Sequence, residues 1–206
     1  MQATDAIFYI VILIISVVIH EVSHGFVAEY FGDKTARHAG RLTLNPLVHL
    51  DIFGSILLPT LLVLSHSPFL FGWAKPVPYN PDNLTNEKWG TIAVASAGVL
   101  ANIFIAVIFG LLIRFSFLLN LPADFYTVAS YIVIMNLALA IFNLVPIPPL
   151  DGSKILFSFL PRSFSSLMFF LEQYSFIFLI IFIVYFSSML SPILLASFSL
   201  ITGLAF

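Results

Sequence analysis

A chain of 206 residues that is 60% hydrophobic and only 9% charged falls far below the roughly 25% charge of a soluble domain, so most of it must face lipid or other apolar helices. The formal net charge is -2 and no basic stretch occurs, which argues against a nucleic-acid partner. Cysteine is absent, which rules out disulfides and thiolate metal sites and leaves His, Asp and Glu as ligands for any metal.

The length suits a single domain, residues 1–206, built of several membrane segments. Ala6 to Phe31 predicts one long helix, stopped by Gly32-Asp33. No Lys or Arg precedes its apolar part and no small-residue cleavage site follows, so it reads as a retained span and not as a signal peptide. Lys34 to His49 is polar, and its Ala39 to Pro46 stretch alternates and ends in a breaker, the pattern of a short strand or hairpin. Ile52 to Leu64 is apolar but contains Gly54 and Pro59. It is short of the ~20 residues a span needs, so a re-entrant path is expected. Ser65 to Lys88 reads as a loop. Trp89 to Phe117 and Phe125 to Leu144 read as long helices, and the prolines of Val145 to Gly152 prevent regular helix. Leu167 to Phe186 reads as a further span, and Ile193 to Phe206 is apolar and shorter. The expected fold class is an all-α polytopic membrane protein with four to six membrane segments and one short re-entrant or β-containing stretch after the first helix.

His20-Glu21-Val22-Ser23-His24 is the pattern that carries chemistry. One helical turn separates the histidines, so both imidazoles leave one face. Two neutral ring nitrogens there can bind one zinc, and the intervening Glu can activate a water. With this composition about 0.002 such patterns are expected by chance. Ionisable groups near mid-bilayer cost roughly 2.5–3.5 kcal/mol each on insertion scales, and a bound metal would compensate. The bland alternative is a helix that simply ends at the interface. Asp151 is the best candidate for a third ligand, because it follows Pro146, Pro148 and Pro149 and so lies on irregular backbone, which at membrane depth must be buried or line a wet cavity. Equally, Asp151-Gly152 reads as an ordinary turn or helix start near the surface. Two His and one carboxylate would leave a fourth position free for water. His38, His49 and His66 read as solvated loop or helix-edge residues, and Glu29 as interfacial.

Four segments in order, His20 to Gly25, Gly40 to Pro46, Gly72 to Pro78 and Asn143 to Gly152, resemble the site-2 protease family in its short bacterial form, without PDZ or CBS domains. The resemblance covers roughly residues 15 to 160. It implies intramembrane proteolysis, with one zinc on His20, His24 and Asp151 and with Glu21 as general base. It also implies a role beside the substrate for Asn102, in Gly98-Val-Leu-Ala-Asn102, where Val99 stands in place of the family's usual proline. Asn143 either donates a hydrogen bond to substrate or braces the Pro-rich turn.

Seven of the eight Lys and Arg lie in three segments, around Lys34 to Arg41, Lys75 to Lys88 and Lys154 to Arg162, which the positive-inside rule assigns to the cytoplasm. For His24 and Asp151 to meet, one crossing must separate their helices, so Ile52 to Leu64 must return to the side it entered from. The expected protein is a zinc metalloendopeptidase of a bacterial inner membrane, with its metal nearer the cytoplasm. Its partners are the lipid bilayer and a transmembrane protein substrate. The rival readings are a metal-ion transporter and an inactive membrane scaffold. A transporter would show a second polar site or a repeat, and a scaffold would leave Glu21 and Asp151 without a purpose.

Overall fold

The computed structural model describes residues 3–57, 60, 61, 64, 65, 73–119 and 121–204. Helix α1, Ala3–Tyr30, ends at Gly32, whose φ of 106° suits glycine because it has no Cβ. A short α2, Thr35–His38, is followed by 3₁₀ turns at Pro46–His49 and Pro81–Asn83 that flank a π-helical turn at Ile52–Leu57. Helix α3 spans Glu87–Arg114. The Asn86 side chain caps it by accepting from the Trp89 N–H, and Glu87 in the first turn and Arg114 in the last suit the helix dipole. After α4, Ser116–Leu119, comes α5, Ala123–Asn143. The Pro-rich turn then leads into α6, Asp151–Phe159. Helices α7 and α8, Ser165–Gln173 and Ser175–Tyr185, and α9, Ser191–Thr202, complete the order.

Helices α1, α3 and α5 are long and apolar enough to cross a membrane among the described residues, and the α7–α8 pair makes a fourth span if counted as one. That is the lower end of the expected range. The protein is an integral membrane protein. Hydrophobic burial does not draw helices together in lipid, so close packing through small residues must. Accordingly α3 buries Gly90, Ala95, Ala97, Gly98, Ala106 and Gly110. One core joins Ala106 and Ile113 of α3 to Val133 and Leu137 of α5 and Phe198 of α9.

Three expectations need correction. The strand at Ala39 to Pro46 does not form: no strand exists among the described residues, and these residues run from a turn into the 3₁₀ helix at Pro46. Asn45 accepts from the Leu47 N–H and starts that helix, a local bond that competes with strand pairing. Leu167 to Phe186 is not one straight span, since α7 and α8 meet at 71° where the polar Glu172-Gln173 pair interrupts the apolar run. His49 is not solvated. It is 1% exposed, and its Nε2 lies 2.8 Å from the Thr43 carbonyl oxygen. His38 is exposed as expected, and His66 lies outside the described residues.

The re-entrant expectation falls partly on undescribed residues, but the two ends of the segment are visible. The Trp73 N–H donates to Gly54 O at 3.2 Å and the Lys75 N–H to His49 O at 2.8 Å. Residues 49–54 and 73–75 therefore lie side by side, the arrangement a returning segment requires.

Candidate metal centre

Helix periodicity puts Ser16, His20 and His24 on one face of α1, and all three are buried, His20 and His24 against α3. Two contacts fix the register of this antiparallel pair. The His24 Nδ1 lies 2.6 Å from the Val94 carbonyl oxygen. The His20 ring lies flat on Gly98, where a Cβ would come within 2.5–2.6 Å of three ring atoms. Glycine at 98 is what lets the imidazole lie against the helix. Val99 continues the helix through the position where the related motif has proline, and α3 is unbroken there.

Asp151 arrives from the other direction. Helix α5 ends at Asn143, and the Pro-rich turn folds back so tightly that a Cβ on Gly152 would overlap the Leu144 backbone. That close approach accounts for the glycine after the aspartate and seats Asp151 at the start of α6, 5% exposed. Its Oδ2 lies 3.1 Å from His20 Nε2 and 3.2 Å from His24 Nε2. Its Oδ1 is 3.5 Å from the Lys154 ammonium. Asp151 and Gly152 are helical, which corrects the expectation of irregular backbone there; Asp151 is the helix start of the second reading, but buried and not at the surface.

The donor set fits a metal. One ligand atom from each of His20, His24 and Asp151 lies within 4.8 Å of the others. Two ligands of a tetrahedral zinc, each about 2.05 Å from it, stand about 3.3 Å apart, close to the spacings seen here. The second ring nitrogen settles the tautomer of His24. A hydrogen on Nδ1, donated to Val94 O, leaves a lone pair on Nε2. That lone pair faces a carboxylate oxygen, and two acceptors at 3.2 Å require a proton or a cation between them.

Glu21 lies on the same pocket, a cleft of about 120 Å³ lined also by His20, His24, Val77, Asn143 and Asp151. Its Oε2 accepts from the Val77 N–H at 2.9 Å, so one carboxylate oxygen is tethered and the other is left to act. Asn143 donates to Leu139 O at 3.0 Å on its own helix while bordering the pocket. Asn102 is not there. It is fully buried, does not line the cleft, and lies one turn along α3 from Gly98.

Two residues missed as site residues hold the segment that tethers Glu21. Arg41, expected as a cytoplasmic charge within the Gly40 to Pro46 motif, is 7% exposed, and its guanidinium donates to the carbonyls of Val48, Lys75 and Pro76. Asp33, read as part of a helix stop, is fully buried. It accepts from the Asn80 N–H at 2.7 Å, the Asn83 amide at 2.9 Å, and the hydroxyl and N–H of Thr35. Burial pushes the Asp33 carboxyl up, but these bonds outweigh it and hold it below the usual carboxylate range. The signal that could have marked both is a charged residue in a short connection between apolar segments.

Comparisons with known proteins agree with the geometry. Residues 119–186 match the profile of "Peptidase family M50", a stretch that includes Asp151 and not the two histidines. "Putative zinc metalloprotease YwhC" of Bacillus subtilis is 38% identical over 183 residues, covering 85% of this chain and 80% of that protein. "Putative zinc metalloprotease Rip2" of Mycolicibacterium smegmatis is 31% identical over 139 residues, covering 68% of this chain and 52% of that protein. No solved structure matches the chain significantly. With a relative this similar over most of both lengths, and with two histidines and an aspartate converging beside a glutamate, the chain belongs to peptidase family M50, the site-2 proteases.

Proposed function

We propose that this protein is an intramembrane zinc metalloendopeptidase that hydrolyses peptide bonds in or near the transmembrane segments of membrane proteins. The observation that carries this reading is the convergence of His20, His24 and Asp151, from helices far apart in sequence, beside a tethered Glu21. The names of the relatives supply zinc as the metal. His20 Nε2, His24 Nε2 and Asp151 Oδ2 would hold it. When bound, zinc supplies Lewis acidity, bringing the pKa of a coordinated water to about 7 and polarising a carbonyl.

The remaining steps belong to the chain. The free oxygen of Glu21 takes a proton as water oxygen bonds to the scissile carbonyl carbon, and returns it to the amine nitrogen as the C–N bond breaks. The Val77 N–H keeps that carboxylate turned into the cleft. Lys154, on the outer oxygen of Asp151, favours Oδ2 as the metal-facing atom. Asn143 borders the substrate. A helical substrate has its carbonyls bonded within the helix, so the segment to be cut must unwind locally to offer a free carbonyl to the cleft.

The transporter reading lacks support from a second metal-ligating cluster among the described residues, and a scaffold has no use for Glu21 held in the cleft. The test is reconstituted protein with a single-span substrate. Glu21→Gln should retain zinc by metal analysis while turnover falls 10²–10⁴-fold. Cleavage near the wild-type rate, or cleavage indifferent to chelators, would sink the proposal.

The cationic segments favour a cell membrane with this cleft toward the cytoplasm. Cysteines placed at the exposed His38 and Asp82 should both be blocked by a reagent added from the cytoplasmic side. Reaction of either from outside only would overturn this orientation.

A further inference from the structure

One turn deeper in the bundle than the metal ligands lies a second polar group of residues that the proposed chemistry does not use. The α1–α3 register pairs His24 with Val94 and His20 with Gly98. The next turn of each helix therefore sets Ser16 opposite Asn102. From the third helix, Asn136 of α5 donates its amide to the Ser16 hydroxyl at 2.9 Å. Ser16 and Asn136 are bonded, the register brings Asn102 to the same level, and the three are 3%, 0% and 0% exposed.

The polar atoms left over at this level are specific. Both ends of the Asn102 amide, the Asn136 carbonyl oxygen and His20 Nδ1 are buried and have no hydrogen-bond partner. Helical Cα–Cβ bonds tilt toward the N-terminus. On antiparallel helices this leans Asn102 toward the His20 ring and His20 toward the level of Asn102. With Nε2 turned to Asp151, the His20 hydrogen belongs on Nδ1, as it does on His24. His24 has Val94 O to receive it, and His20 has nothing. Across the cluster, His20 Nδ1–H and the Asn102 N–H are donors, while the Asn102 and Asn136 carbonyls are acceptors. Two donors and two acceptors are the complement of a tetrahedral water.

We propose that Ser16, Asn102 and Asn136 form an internal water site whose ordered water accepts the His20 Nδ1 hydrogen and donates to the two carboxamides. Asn102 is then a positioning residue that fixes the tautomer and orientation of a metal-binding imidazole, not a group that touches substrate. Ser16, Asn102 and Asn136 include no His, Asp or Glu, so they do not make a second metal-ligating cluster of that kind.

This inference rests on the metal-site reading, and zinc affinity separates the two. The probe is Zn²⁺ titrated against a competing chelator on the purified full chain in detergent, with thermal unfolding of the metal-free protein measured alongside. Loss of a partner that orients a ligand weakens metal binding typically 10–100-fold. Asn102→Leu should raise the zinc dissociation constant by that factor, with the melting temperature of the metal-free protein unchanged or higher, because a poorly satisfied buried amide is removed. The absorption bands of the Co²⁺-substituted protein should shift as the His20 ring loses its anchor. Asn136→Leu should act in the same direction, more weakly. Val133→Ala, in the adjoining apolar core, should lower the melting temperature without changing the zinc constant. Wild-type protein that binds no zinc would overturn the metal-site reading itself. Wild-type affinity in both Asn102→Leu and Asn136→Leu, or a lower melting temperature with unchanged affinity, would overturn the water site alone.

Discussion

The metal-bearing bundle and the C-terminal helix pair are both apolar in sequence, yet they are organised differently. Ser16, His20, His24, Asn102 and Asn136, away from the ends of α1, α3 and α5, all lie inside, while Lys88, Arg114 and Asp124 at the helix ends are exposed. In α7 and α8 Leu179 is the sole buried side chain among the described residues, while Phe169, Phe176, Ile177 and Tyr185 are more than half exposed. Buried polar side chains are thus confined to the bundle in this comparison, among the described residues. Lipid tails accept any apolar side chain, so a lipid-facing helix is held to little beyond its composition. A buried imidazole or carboxamide needs a partner at a defined distance, and that need fixes helix register. Between these extremes, α9 packs through Phe198 against the core. Gly203 caps it, and the Arg114 guanidinium donates to Leu200 O at 2.7 Å, a cation at a helix C-terminus.

The largest effect is expected at Gly98. A methyl group there must displace the His20 ring, so Gly98→Ala should cut zinc affinity by 10-fold or more while the helices still assemble. Retention of wild-type affinity would mean that the ring does not rest on Gly98.

A second, smaller effect lies in the loops that cover the cleft. Because the Asp33 carboxyl is held low, its contribution to stability is fully present above the ordinary carboxylate pKa of about 3.9 and is lost as pH falls through the lower folded value. Thermal stability should fall on acidification below about pH 4. Asp33→Asn should cost roughly 1.5–3 kcal/mol at neutral pH, should remove that part of the acid sensitivity, and should open residues 73–85 to protease. A resistant loop in Asp33→Asn would show that Arg41 suffices to hold it.

The smallest effect belongs to the lipid-facing pair. Phe176→Leu at a 54% exposed position should change stability by no more than about 0.5 kcal/mol, and leave zinc binding alone. A large loss there would mean that α8 has a protein partner.

Much of this was legible in the amino-acid order alone. Helical period put His20 and His24 on one face, length and hydropathy separated the long spans from the short segment after α2, and the prolines ended α5 before Asp151. Those properties are local: they depend on which residues stand within a few positions of one another. The rest was decided by contacts between distant parts of the chain. The Val77 N–H that tethers Glu21 and the Val94 carbonyl that receives the His24 hydrogen are backbone groups. Nearly every residue type supplies them, so no letter marks them. Nor does a letter tell that Arg41 and His49 are buried or that Ala39 to Pro46 finds no strand to pair with. Composition made this a membrane protein and spacing suggested a metal site. Only the packing of α1 against α3 and the turn at the end of α5 brought the three ligands together and left room for the His20 ring over Gly98.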